Sequence, residues 1–136
     1  FIPSFFTGYL IKRFGVNFIT ATGMVILVAA AVAGLMGISF ANFATAMILL
    51  GLGWNFGFIG GTTLLTSTYE PLERNKAQGL NDFLVFGTTT LTSLSAGALM
   101  AGAGWTVVNW AVLPLAAIGL ALILWLWRHP RKAMAI

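Results

Sequence analysis

The chain has 136 residues, of which 59% are hydrophobic and 7% are charged. A soluble domain carries about 25% charged residues, so this composition excludes a water-soluble fold and predicts that the chain lies in a lipid bilayer. With no cysteine, disulfides and thiolate chemistry are excluded, and the net charge of +4 sits in short clusters rather than along one face, which argues against nucleic-acid binding.

The charged residues divide the chain into long uncharged stretches. They cluster at residues 12–13, 70–82 and 128–132. Each stretch between two clusters is far longer than the roughly 20 residues of one spanning helix, so each is predicted to hold two helices joined by a short turn. Residues 39–42 and 101–106 have turn-forming sequences at suitable places.

The predicted fold class is all-α, a polytopic transmembrane bundle of four full helices plus the end of a fifth. The predicted elements are a helix end at 1–10, helices at 16–38, 43–69, 79–101 and 107–127, a loop at 70–78 and a tail at 128–136. The chain starts with Phe1 inside an apolar segment, and we therefore expect a fragment of a longer protein. Two crossings separate each charged cluster from the next, so the positive-inside rule places all three, and the tail, in the cytoplasm.

The helices predicted at 43–69 and 79–101 each carry a polar stripe. The candidate substrate-pathway residues on these stripes are Asn55, Thr62, Thr66, Thr88 and Thr92. Amides and hydroxyls are costly in lipid unless they are satisfied, so the stripes are predicted to face protein or a wet cavity. For any single hydroxyl, the alternative is a hydrogen bond to a carbonyl of its own helix.

Asn55 is predicted to lie near mid-bilayer, and its amide cannot be satisfied by its own backbone. Two roles stay open for it: a solute or ion site, or a lock between helices. Trp54 lies a quarter turn away and is a candidate for the same cavity, with packing as its alternative role.

Small residues lie opposite the polar stripes. The predicted helix-packing positions are Gly53, Gly57, Gly61 and Gly97. Small residues spaced four apart let two helix backbones approach closely in lipid. By contrast, the sequence has one histidine and no pair of carboxylates inside a helix, so it predicts no catalytic set, no cofactor and no metal site.

Residues 8–15 resemble a known signature. Gly8, Arg13 and Gly15 match the cytoplasmic loop motif Gly-x-Leu-x-Asp-Arg-x-Gly of the major facilitator superfamily, with Lys12 at the Asp position. The departure at Lys12 favours the copy of this motif in the second half of such transporters. Residues 52–83 resemble the tenth helix, the following loop and the start of the eleventh helix in bacterial members.

The resemblance covers essentially the whole chain, and it implies a fragment running from the end of the eighth helix to the C-terminus of a secondary transporter. It implies a bacterial inner-membrane protein whose partners are membrane lipids, the missing N-terminal half and a small-molecule or ion substrate. Arg74 and Asp82, with Arg13, would form cytoplasmic gate charges. The alternative is a small structural or partner-binding multi-pass membrane protein, which glycine ridges would suit equally well.

Overall fold

The computed structural model describes residues 2–129, which form α-helices and one short 3-10 helix. The elements are α1 (Ile2–Phe14), α2 (Val16–Leu35), α3 (Phe40–Thr66), the 3-10 helix (Pro71–Glu73) and α4 (Arg74–Arg128). Of these, α2, α3 and α4 are long and apolar enough to cross a membrane. The prediction of an all-α transmembrane bundle is therefore confirmed. Residues 1 and 130–136, which include most of the predicted tail, lie outside the described residues.

The α4 helix is interrupted at Gly104. It has 55 residues, far more than the roughly 20 that one crossing needs. Gly104 has φ 79° and ψ 178°, a left-handed backbone conformation that glycine adopts without steric cost. We call residues 74–103 the first segment of α4 and residues 105–128 the second segment.

The two segments of α4 run past the same part of α2. The Met24 side chain lines a cavity together with Asn81 of the first segment. A Cβ placed on Gly119 of the second segment would lie 2.9 Å from the Met24 sulfur. The chain therefore reverses direction between the segments. The turn predicted at 101–106 is shorter than expected, because one glycine supplies the reversal and helix continues on both sides.

The α3 and α4 helices begin earlier in the chain than predicted. The α3 helix begins at Phe40 because the Ser39 hydroxyl caps it, accepting a hydrogen bond from the Asn42 backbone N–H at 3.3 Å. Residues 39–42 are thus a helix start rather than a turn. The predicted loop at 70–78 is mostly helical, because the 3-10 helix covers Pro71–Glu73 and α4 already begins at Arg74.

The first helix also extends further than predicted. It continues to Phe14 instead of ending near residue 10, and Gly15 alone separates it from α2. Gly15 has φ 87°, so the last glycine of the loop signature permits the break. At the other end, α2 stops at Leu35 rather than residue 38, although the Met36 N–H still donates to the Val32 carbonyl at 3.0 Å.

The α2 helix lies at the centre, against α1, α3 and the second segment of α4. The buried apolar side chains are mostly small: Ile19, Ala21, Ala30, Ala31, Ala46, Ala116 and Ile123. Close backbone packing, rather than large side chains, holds helices together in lipid. A second stripe of α2 is exposed, with Phe18, Val25 and Val32 about half accessible, so this apolar helix also has a face suited to lipid.

Glycines form the contact between α2 and α3. A Cβ on Gly23 would lie 2.8 Å from the Gly57 nitrogen and 3.0 Å from the Gly53 carbonyl oxygen. Real Cβ atoms do not approach backbone atoms so closely, so the two helices touch backbone to backbone here. Gly53 and Gly57 therefore lie at a helix contact of the kind expected from their spacing.

The other two predicted packing glycines lie elsewhere. A Cβ on Gly61 or Gly97 would meet no heavy atom within 4 Å among the described residues. Gly60 takes the place expected for Gly61: it is buried, and a Cβ there would collide with the Thr20 hydroxyl. The α3 face that meets α2 runs through Gly53, Gly57 and Gly60. An α-helix has 3.6 residues per turn, so residues spaced strictly four apart gradually rotate away from one face.

Candidate substrate site

Asn55 lies near the middle of α3 and is hydrogen-bonded to α1. Its Nδ2 donates to the Ser4 hydroxyl oxygen at 2.6 Å, and the Thr7 hydroxyl donates to its Oδ1 at 2.7 Å. Ser4 and Thr7 are three residues apart on α1 and so share one face. Thr7 is fully buried. The structure thus shows contacts of the interhelical lock, while a role for Asn55 in solute binding stays a prediction.

A cavity of about 610 Å³ opens beside this hydrogen-bonded group. Its walls are mainly apolar side chains of α3, and Asn55 and Ser4 contribute polar atoms. Small-molecule sites are typically apolar clefts of about 300–1,000 Å³ with a few polar groups. The volume of this cavity falls within that range, and its lining combines apolar walls with two polar groups.

Trp54 and Phe58 border this cavity and also a smaller one of about 270 Å³. Their ring planes are inclined by only 14°, with centroids 6.2 Å apart. The smaller cavity is lined in addition by Thr62 of α3 and by Asn81 of the first segment of α4. Three of the candidate pathway residues, Asn55, Trp54 and Thr62, are therefore brought to two adjoining cavities.

The other three candidate hydroxyl residues line neither cavity in the part of the chain that the structure describes. Thr66 donates to the Thr63 carbonyl at 2.7 Å. Thr92 donates to the Thr88 and Thr89 carbonyls at 2.9 and 3.0 Å. These two hydroxyls donate to carbonyls of their own helices, which is the arrangement expected if they have no role in the pathway. Thr88 is exposed on the first segment of α4.

Of the charged candidates, Arg13 and Arg74 lie at helix ends, and Asp82 lies in the third turn of α4. The Arg13 guanidinium lies 5.4 Å from the centre of the Phe14 ring, in the last turn of α1. Arg74 begins α4, and Asp82 accepts a long hydrogen bond from the Asn81 amide at 3.4 Å. All three charges are exposed, as is Gly8 of the loop signature. Their side chains are thus accessible to other parts of a larger protein.

A second polar group, which sequence reasoning missed, joins α2 to the second segment of α4. Asn109 is 8% exposed and donates from Nδ2 to the Trp105 carbonyl at 3.0 Å. The Trp105 indole N–H in turn donates to the Gly34 carbonyl at 2.8 Å. The sequence signal for this contact was an asparagine within an otherwise apolar helix. Ser4 and Thr7 gave none, since isolated hydroxyls are common in such helices.

Metal binding requires a group of suitable ligands. Within residues 2–129, no three His, Cys, Asp or Glu residues lie close enough together to hold a metal ion. What the cavities offer instead is aromatic surface, apolar walls and the two amides of Asn55 and Asn81, a lining of the kind found in small-molecule sites.

Comparison with known proteins bears on what such a cavity does. The family model described as Major Facilitator Superfamily matches residues 1–136. A protein named riboflavin transporter RfnT from Brucella anthropi is 50% identical over 118 residues, 87% of this chain. Two proteins named uncharacterized MFS-type transporters from Bacillus subtilis, YddS and YdeG, are 30% and 36% identical over 95% and 88% of this chain.

The chain spans less than a third of these relatives, from 26% of YdeG to 30% of RfnT and YddS. No solved structure matches it. The relatives are transporters rather than enzymes, in agreement with the expectation from the sequence.

Proposed function

We propose that the chain, which belongs to the Major Facilitator Superfamily, forms part of a secondary transporter that moves a small solute by alternating access. The observation that carries this proposal is the cavity of about 610 Å³ at the middle of α3, where Asn55 and Ser4 place polar atoms within apolar walls. Polar groups at the depth of the bilayer centre are costly and usually mark a solute path.

Riboflavin is the proposed solute. The supporting observation is the 50% identity to the riboflavin transporter RfnT over 87% of this chain. The relative is more than three times as long as the matched part, so residues outside this chain complete the site. Asn55, Trp54 and Thr62 form this chain's share of the pathway, with Thr66, Thr88 and Thr92 lining it further along as the two halves of the protein move.

The proposed orientation follows from the charges. Lys12 and Arg13 at the end of α1, the residues at 70–82 and Arg128 at the end of α4 face the cytoplasm of a bacterial cell, and the protein lies in its inner membrane. Arg13, Arg74 and Asp82 are exposed, and the proposed orientation puts them on the cytoplasmic side. In one conformational state of the transporter, these three charges pair with charges of the rest of the protein. The pairing shifts the equilibrium between the two states by the difference in pairing energy.

The proposal is tested by riboflavin uptake into liposomes containing the full-length protein. Wild-type protein should give saturable uptake, and Asn55→Ala should reduce it several-fold, because α1 and α3 lose the two hydrogen bonds made by Asn55 and the cavity loses its amide. Asn75→Ala is the matched control, since Asn75 is exposed at the start of α4.

Equal amounts of each variant in the membrane make the comparison valid. Unchanged kinetics in Asn55→Ala would reject the site, and no uptake by the wild-type protein would reject riboflavin as the solute.

A further inference from the structure

We propose that the stacked rings of Trp54 and Phe58, which we call the aromatic wall, extend their stack onto the solute, and that they determine specificity for a fused, planar nitrogen heteroaromatic ring. This inference rests on the proposed function and assigns its substrate contact to two side chains. Neither residue has a role in the hydrogen bonds that link α1 to α3, so the wall is separate from the Asn55 lock.

The position of Trp54 is unusual for a membrane tryptophan. Tryptophan prefers the membrane–water interface, where its N–H reaches water. Trp54 instead lies at the middle of α3, and its side chain is 54% exposed. The exposed Trp110 and Trp125 lie toward the two ends of the second segment of α4, as an interfacial role requires. Trp54 therefore needs a partner other than headgroups.

The geometry of the pair suits a planar partner. The two rings are inclined by 14° with centroids 6.2 Å apart, so they are offset rather than face to face, and Phe58 also remains 39% exposed. Offset parallel stacking is a favourable arrangement of aromatic rings. A planar fused ring extends this stack across the exposed surface of Trp54, whereas a flexible chain has no flat face with which to stack.

The amide beside the wall adds a requirement on the edge of the ring. Asn55 Nδ2 has two hydrogens, and one of them is committed to the Ser4 oxygen. The second is uncommitted within the described residues, and Asn55 borders the same cavity as Trp54 and Phe58. A ring with carbonyl or ring-nitrogen acceptors along its edge would take that hydrogen bond while its face lies on the wall.

The test measures riboflavin binding to purified full-length protein by quenching of flavin fluorescence. Trp54→Leu should weaken binding roughly tenfold, which is about 1.4 kcal/mol, and Trp54→Phe should restore most of it because a flat ring is retained. Trp110→Leu is the matched control, since Trp110 is 59% exposed and lines neither cavity in the described part of the chain. It should bind as the wild type does.

Competition on the wild-type protein provides a second readout that needs no variant. Lumichrome, which has the fused ring without the sugar-alcohol chain, should displace riboflavin, and ribitol, which is the chain alone, should not. If ribitol competes better than lumichrome, or if Trp54→Leu binds riboflavin as tightly as the wild type does, the aromatic wall is wrong. Riboflavin uptake by the wild-type protein would still support the proposed function in either case. Failure of the wild-type protein to bind or take up riboflavin overturns both.

Discussion

Replacing Gly23 with alanine tests the backbone contact between α2 and α3. The added Cβ would lie 2.8 Å from the Gly57 nitrogen, and 3.0 Å from both the Gly53 oxygen and the Phe56 Cβ. Two of these three atoms belong to the α3 backbone, so no side-chain rotation relieves the overlap and the helices must separate. Overpacking of this kind costs about 1–3 kcal/mol.

Alanine also raises helix propensity, by about 1 kcal/mol relative to glycine, and this gain must be removed from the comparison. Gly61→Ala is the matched control, because it carries the same gain and its Cβ would have no heavy atom within 4 Å among the described residues. The free energy of unfolding of Gly23→Ala should therefore lie about 1–3 kcal/mol below that of Gly61→Ala.

The assay is SDS-induced unfolding of the full-length protein in mixed micelles, with both variants compared at equal detergent. Gly97→Ala serves as a second control of the same kind. If Gly23→Ala and Gly61→Ala unfold at the same SDS fraction, α2 and α3 do not touch at Gly23, and the helix arrangement described above is wrong.

Two further substitutions test single hydrogen bonds in the same unfolding assay. Trp105→Phe keeps a ring against Phe43 but loses the indole donor to the Gly34 carbonyl. It should therefore lower the free energy of unfolding by about 0.5–1.5 kcal/mol. Trp110→Phe is the control, and an equal effect in both variants would contradict the hydrogen bond. Ser39→Ala removes the cap of α3 and should lower the free energy of unfolding by about 0.5–1 kcal/mol, a small effect because the 3.3 Å hydrogen bond is long. Ser39→Asn should keep the stability of the wild type, since asparagine also caps helices. An equal loss of stability in both variants would exclude capping by Ser39.

The helical type of the spanning elements could be predicted because lipid imposes a simple rule. Long uncharged stretches bounded by charged clusters leave few alternatives when every backbone polar group must be bonded within a helix. Helix ends were less predictable, because they depend on single groups such as the Ser39 hydroxyl and on the left-handed backbone at Gly15 and Gly104.

The contacts of the site depended on the relative rotation of helices, which a helical wheel does not give. Spacing alone could not choose between Gly60 and Gly61 as the buried glycine of α3, nor identify Gly23 as its counterpart on α2. Asn55 stood out because an amide near mid-bilayer must have partners. That Ser4 and Thr7 supply them follows only from the way α1 crosses α3.

Alternating access at the larger cavity is the central claim, and a single thiol at residue 51 tests it most directly. Gly51 lines the cavity, and a Cβ there would meet no heavy atom within 4 Å among the described residues. This chain has no cysteine, so Gly51→Cys in an otherwise cysteine-free full-length protein supplies one reporter in sealed vesicles.

A membrane-impermeant maleimide should label that thiol from each side of the membrane, and riboflavin should raise the rate from one side while lowering it from the other. Labelling from one side only, at a rate that riboflavin does not change, would contradict a transporter that works by alternating access at this cavity.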